Sequence, residues 1–435
     1  MRCRLLNRLF IVVVVLIAHV AVNISHSHSE DAVPTNPNAR WWKGNLHTHS
    51  LWSDGNDFPE MISEWYRTQG YSFLAISDHN VLSEGRRWMK VDDVLKRGGA
   101  DVIKKYESRF GGDWVEFQGE PETPSYEIRL KPFDEYRSLL EERGKFLLIQ
   151  SEEISDKAEG KPIHINAANL AEAIEPQHGD SVRETIANNF RAILEQEKAK
   201  GREILPHLNH PNFGWAVTAE DIAWVTNDHF YEVYNGHPSI NHLGDETRPS
   251  VERIWDIANA IRLSQLKVHP LFGLGTDDSH HYHGVGGSRP GRGWVMVRSK
   301  YLTPERLIQA IKRGDFYASS GVTLKEVVFD KETRTLKLQI DPESSVSFKT
   351  EFIGTKKPAI TKANDSEAVP ALPPSDEIGK VMATSDSLSP TYQLADDDLY
   401  IRAVVTSSKS AVDPSFDKQQ QQAWTQPVGW DAHAE

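Results

Sequence analysis

An α/β domain followed by a smaller β-rich domain is the fold class this sequence predicts, and three observations carry it. Between about residues 41 and 320, short apolar runs alternate with amphipathic helical patterns. The strand candidates in that stretch run into clusters of His, Asp and Glu. Beyond about Ser320 the helical period stops, and alternating or β-branched runs take over.

The chain opens on "MRCRLLNR", with Arg2, Arg4 and Arg8 and no acid, and continues into the apolar "LFIVVVVLIAHVAV" (9–22). These are the basic and apolar regions of a secretory signal, too short for a comfortable membrane span. The expectation is a signal peptide over 1–29, a polar linker over 30–40, and a secreted or periplasmic protein with no stable membrane insertion. Cys3 is the only cysteine and lies inside the signal. Any metal must therefore be held by His, Asp and Glu. A net charge of −13 offers no broad basic face, so no extended nucleic-acid surface is expected.

Pro59 suits the first turn of a helix over 59–69, and Gly70 suits the position just past its end. "YSFLAIS" (71–77) follows as a buried strand, and "FLLIQS" (146–151), "REILPHL" (202–208), "FYEVYN" (230–235) and "LFGLGT" (271–276) are further strands. Ser181-x-x-Glu184 opens a helix over 181–200 in a capping-box pattern, and Gly201 stops it. Its Val182, Ile186, Phe190, Ile193 and Leu194 share one face. A second helix spans about 250–264, and a third begins at Thr303-Pro304 and ends at Gly314. Residues 85–145 break this rhythm. They are charged, contain helices near 91–109 and 134–143, and read as an insertion on the loop side. The region 321–435, with "LKLQI" (336–340) and "LYIRAVV" (399–405), reads as a small β-rich domain, a sandwich in outline.

Metal-ligand chemistry collects where strands end. "NLHTHS" puts His47 and His49 two apart, on the same face of an extended segment. "SDHN" supplies Asp78 and His79, "SEEIS" supplies Glu152 and Glu153, and "KPIHINAAN" supplies His164. "HLNHPN" supplies His207 and His210, and "GTDDSHHYH" supplies Asp277, Asp278, His280, His281 and His283. Any one of these could be an ordinary loop histidine or a solvated acidic pair. Loaded onto successive strand ends that converge on one mouth, they indicate a multinuclear metal site.

"HTHSLWSDG", "ISDHN", "SEEIS", "NHP" and "GTDDSH", in this order, resemble the PHP (polymerase and histidinol phosphatase) family over roughly residues 42–320, the 85–145 insertion aside. The resemblance implies a distorted (β/α)7 TIM-like barrel, up to three divalent metal ions, and phosphoesterase chemistry on a small phosphorylated substrate. It implies that His47, His49, Glu153 and Asp278 hold one ion. Glu153 would bridge to a second held with His164 and His210, and Asp54, His79 and His280 would hold the third. Glu153, Asp278 and His280 would carry the reaction. The doubled residues leave Glu152 beside Glu153, Asp277 beside Asp278, and His281 beside His280 as alternatives. Mixed nitrogen and oxygen ligation suits Zn best, with Mn or Fe also compatible.

Two close divalent cations lower the pKa of a shared water, so a bridging hydroxide is expected as the nucleophile and no serine or cysteine is needed. Arg86, Arg87, Arg289 and Arg292 are cations on loops, as readily surface arginines as phosphate grips. Two other functions compete. One is metal-dependent hydrolysis of an amide or sugar-derived bond, for which barrels of similar chemistry often use a carboxylated lysine; no lysine stands at a strand end here. The other is a non-catalytic binding protein, which would be expected to have lost ligands.

Overall fold

The computed structural model describes residues 38–357 and 375–430. The expected signal peptide and most of the expected linker lie outside the described residues. Among the described residues, no helix is long and apolar enough to cross a membrane.

In chain order, β1 (Arg40–Asn45), α1 (Pro59–Thr68) and β2 (Phe73–Ile76) come first. The insertion follows as β3 (Arg87–Lys90), α2 (Val91–Gly98), α3 (Val102–Phe110), β4 (Phe117–Gln118), β5 (Glu127–Leu130) and α4 (Phe133–Leu140). Next are β6 (Leu147–Ala158), β7 (Lys161–Ala168), α5 (Val182–Lys200), β8 (Leu205–Leu208), α6 (Ala219–Trp224), β9 (Phe230–Asn235), α7 (Val251–Ile261) and β10 (Phe272–Thr276). The expected strands are present, but β6 is much longer than the six residues read from the sequence. It folds back through Glu159-Gly160, both at positive φ (53° and 74°), into β7. Two successive positive φ values are the signature of a tight hairpin turn of the primed type.

β1, β2 and β6 are parallel, β7 is antiparallel to both β6 and β8, and β8, β9 and β10 are parallel again. A closed seven-stranded barrel was expected, and the ladders do not close. The free edge of β1 is occupied by β11 (Trp294–Ser299), antiparallel to it from Arg40↔Ser299 to Gly44↔Val295. β10 therefore meets β1 only past the strand ends, where Thr48 and Ser279 form an isolated parallel bridge. There the His49 N–H donates to the Ser279 carbonyl at 2.9 Å, and the Asp278 N–H to the His47 carbonyl at 3.0 Å. Two segments distant in sequence are thus locked side by side.

The helices are built as their end signals require. Ser181 Oγ accepts the Glu184 N–H, Glu184 in turn accepts the Asp180 N–H, and Gly201 ends α5 in the left-handed region. α5 buries Ile186, Phe190 and Ile193 in the core shared with Ile163, Ile165 and Leu208 of the sheet. The single helix expected over 91–109 is instead two, because the chain turns at Gly98-Gly99 with Gly99 at φ 88°. The insertion's Val94, Val102, Tyr106 and Ile128 form a core with Leu51, Trp52 and Phe58. Phe58 and Tyr106 stack at 3.9 Å between ring centroids, a contact worth about 1 kcal/mol beyond its buried area. The insertion is therefore packed on the segment that carries Asp54.

The remaining elements are α8 (Pro304–Lys312), β12 (Phe316–Ser319), β13 (Leu324–Asp330), β14 (Thr335–Ile340), β15 (Phe348–Lys356), β16 (Lys380–Ser385), β17 (Thr391–Gln393), β18 (Asp398–Ser410) and β19 (Gln420–Thr425). β11, β12, β19, β18, β15 and β16 continue the large sheet by antiparallel pairing, while β13, β14 and β17 form a separate three-stranded sheet. Leu324, Leu336 and Leu338 of the small sheet share a core with Phe352, Ile401 and Ala403 of the large one. The C-terminal strands thus extend the α/β sheet rather than hanging from a linker. Buried Arg402 of β18 reinforces the junction, donating from Nε and Nη2 to the two carboxylate oxygens of Asp256 on α7 at 3.0 and 2.8 Å.

Candidate metal centre

β1 delivers the first donors. Past Asn45 the chain stays extended, so His47 and His49 both turn inward and are fully buried. Their Nε2 atoms each lie 3.2 Å from Asp278 Oδ1, which β10 supplies across the Thr48–Ser279 bridge. β6 supplies Glu153, whose Oε1 is 3.4 Å from His47 Nε2 and whose Oε2 is 3.3 Å from His49 Nε2. A parallel bridge from His79 to Glu153 fixes the end of β2 against β6, and His79 Nδ1 lies 2.9 Å from Glu153 Oε2.

The β6–β7 hairpin brings His164 to the other side of the same carboxylate, with Nδ1 at 3.1 Å from Oε1. His210, just past β8, stands 3.6 Å from Glu153 Oε1 and 3.9 Å from Asp278 Oδ2. Asp54 completes the cluster from the loop after β1. It is 3.4 Å from His280, 3.5 Å from His79 and 3.7 Å from His49. Its side chain is 55% exposed, so this flank faces solvent while the Glu153 flank is sealed. Gly55 permits the turn: a Cβ there would sit 2.5 Å from the His49 carbonyl oxygen.

The structure thus brings together every residue expected as a ligand. It also separates the doubled residues. Glu152 points away from the cluster, its Oε2 accepting the Ile174 N–H at 2.9 Å. Asp277 is occupied by Tyr66 Oη and the backbone N–H groups of Gly291, Arg292 and Gly293. His281 lies outside the cluster and accepts the Ser288 N–H through Nδ1. Asp278 reaches inward because its backbone is left-handed, at φ 48°.

The electrostatics match a cation site. Burial alone would raise Glu153, but His79, His47 and His164 hold it well below the usual carboxylate range. Burial likewise opposes ionisation of Asp278, and His47, His49 and His280 overcome it. Burial pushes His49 down to about 3, leaving a neutral imidazole. His47 Nε2, both ring nitrogens of His49, Glu153 Oε2 and His164 Nδ1 are buried and satisfy no hydrogen bond among the described residues. Buried polar atoms that crowd together without bonding fit the coordination of divalent ions, since leaving them unpartnered costs about 1–3 kcal/mol each. His47, His49 and Glu153 form one group able to hold an ion; His79, Glu153 and His164 form another; His49, Asp54, His79 and His280 form a third.

Sequence reasoning passed over Glu232, the one acid inside the apolar strand "FYEVYN", and Asn209 between the two histidines of "HLNHPN". Glu232 is fully buried and lies 2.7 Å from His47 Nδ1. Asn209 Nδ2 donates to Glu153 Oε1 at 2.7 Å. A carboxylate in the middle of a buried strand was the available signal. The candidate arginines have other partners: Arg292 and Arg289 face Asp413 at 3.1 and 3.6 Å, Arg87 lies over the Trp52 ring, and Arg86 lies over the Trp88 ring.

No protein-family model matches the sequence, and no curated protein matches it. Among solved structures it is similar to a two-domain protein from Bacteroides vulgatus containing a predicted PHP-like metal-dependent phosphoesterase. That match has 15% identity and a TM-score of 0.37, covering 92% of this chain and 98% of the other. A second similar structure, an inferred metal-dependent phosphoesterase from Bifidobacterium adolescentis, has 12% identity and a TM-score of 0.28, covering 65% of this chain and 96% of the other. Superpositions this loose carry no argument about activity, which rests on the residues themselves.

Proposed function

We propose that residues 41–320 form a metal-dependent phosphoesterase of the PHP type, acting on a small phosphorylated substrate. One observation carries this reading: Glu153 and Asp278, both held ionised, stand among His47, His49, His79, His164, His210 and His280, with ring nitrogens of His47, His49 and His164 left unbonded. His47, His49, Glu153 and Asp278 would hold one divalent ion, Glu153 with His164 and His210 a second, and Asp54, His79 and His280 a third. Zinc suits this nitrogen-rich donor set best. Bound divalent ions supply Lewis acidity toward phosphate oxygens and bring water's pKa toward neutrality.

The chain's own residues prepare that chemistry. Glu153 keeps its charge in a sealed pocket, where its pull on each histidine is strong. Asn209 fixes the Glu153 carboxylate from one side, and the Asn235 amide donates to Asp278 Oδ2 at 3.1 Å from the other. The exposed flank at Asp54 and His280 is where a phosphoester gains access, and we assign Glu153, Asp278 and His280 to the reaction. The apolar start of the chain supports export to the periplasm or beyond. A panel of phosphomonoesters and phosphodiesters, run beside amide and glycosidic substrates on zinc-loaded protein, tests the assignment. Turnover of phosphoesters is expected, and turnover of the other classes alone would overturn it.

A further inference from the structure

Glu232 lies behind the cluster, away from its exposed flank, and both of its carboxylate oxygens are engaged. Its Oε1 lies 2.7 Å from His47 Nδ1 and accepts the Thr276 hydroxyl at 2.7 Å. Its Oε2 accepts the His210 backbone N–H and the Asn235 amide, each at 2.8 Å. A carboxylate with its acceptor sites filled by four donors is an anchor.

We infer that Glu232 is the positioning residue for His47, holding the proton on Nδ1 so that Nε2 is offered to the ion. This rests on the reading that His47 is a ligand. An imidazole has two nitrogens, and the partner of one decides which remains free. With Nδ1–H given to Glu232, the free pair is on Nε2, the atom 3.4 Å from Glu153 and 3.2 Å from Asp278. The same carboxylate sets two more parts of the centre. Its Oε2 fixes the backbone from which His210 projects, and Asn235, which donates to it, also donates to Asp278 Oδ2. One buried acid on β9 therefore aligns donors arriving from β1, β8 and β10. His207, with Nε2 3.5 Å from Glu232 Oε1, makes the alternative that this group is itself an ion site. The filled oxygens of Glu232 argue against it.

The test compares full-length wild type, Glu232→Gln and Thr276→Val by zinc titration against a chromogenic chelator, with long-range ¹H–¹⁵N spectra reporting the His47 tautomer. Glutamine presents an amide to donors already facing that position, so zinc affinity should fall about 10–100-fold and the His47 tautomer ratio should shift. Thr276→Val removes one donor without touching His47 and should act in the same direction to a smaller extent. It decides the matter should Glu232→Gln not fold. Unchanged affinity and an unchanged His47 spectrum overturn the inference. So does loss of one whole zinc equivalent with the others bound as in wild type, which would make the group an ion site. Wild type that binds no zinc would instead fail the functional proposal.

Discussion

Glu152 and Glu153 are neighbours on one strand with opposite surroundings, and exchanging each for glutamine should have opposite consequences. Glu152 is buried away from the cluster, and burial pushes its carboxyl from 4.5 up to about 7. A folded-state value above the unfolded one means that stability from this group is complete below about pH 4.5 and is lost as pH rises through 7. The displacement corresponds to about 3 kcal/mol at pH values above both. Glutamine removes that cost and keeps an oxygen for the Ile174 N–H, but brings an amide needing a partner, worth about 1 kcal/mol against it. Chelator-treated Glu152→Gln should therefore be more stable than wild type by about 2 kcal/mol near pH 8, with the advantage gone near pH 4.5. Urea unfolding of both proteins across that range reads the difference directly, since groups shared by the two cancel. Glu152→Gln should keep its metal and its hydrolysis. Glu153→Gln should lose bound metal and several orders of magnitude of activity. A pH-independent difference for Glu152→Gln, or equal metal loss in the two variants, would refute the assignment of which carboxylate faces the centre.

The second doubled pair should divide similarly: Asp278→Asn should empty the centre while leaving the fold, whereas Asp277→Ala should lower the melting temperature by freeing the 291–293 backbone it holds. Circular dichroism melts beside metal analysis separate the two. Asp256→Ala should cost about 3 kcal/mol, because it takes the two-oxygen partner from buried Arg402 and leaves it only the 3.4 Å contact with Glu252; loss of less than about 1 kcal/mol in urea unfolding would count against the shared-sheet junction. Gly55→Ala should weaken metal binding with little effect elsewhere, because its Cβ would press on the His49 carbonyl within the turn that carries Asp54.

Much of the centre was legible because strand-end donors are short, dense signals: "HTH", "DHN" and "DDSH" mark their own turns whatever the rest of the fold does. The choice between Asp277 and Asp278 was not, since it depends on a left-handed residue and on loop 291–293 meeting Asp277 from beyond β10. β7 was missed because Glu159-Gly160 lacks the usual Asn-Gly or Asp-Gly signature of such a turn, so His164 had no strand to sit on. The open ladder between β1 and β10 was equally hidden, for it depends on β11 returning from far along the chain to take the β1 edge. Glu232 escaped because a lone acid in an apolar strand reads as a pattern break until its partners are seen.

The central claim is that the cluster around Glu153 and Asp278 binds divalent ions and through them cleaves phosphoesters. Its most direct test is hydrolysis of a chromogenic phosphodiester and the corresponding monoester by full-length protein as purified, after chelation, and after return of zinc or manganese, with bound metal counted at each stage. The account predicts metal in the purified protein, loss of both metal and hydrolysis on chelation, and recovery of the two together. Hydrolysis that survives complete metal removal, or metal-loaded protein that cleaves neither ester, would contradict it.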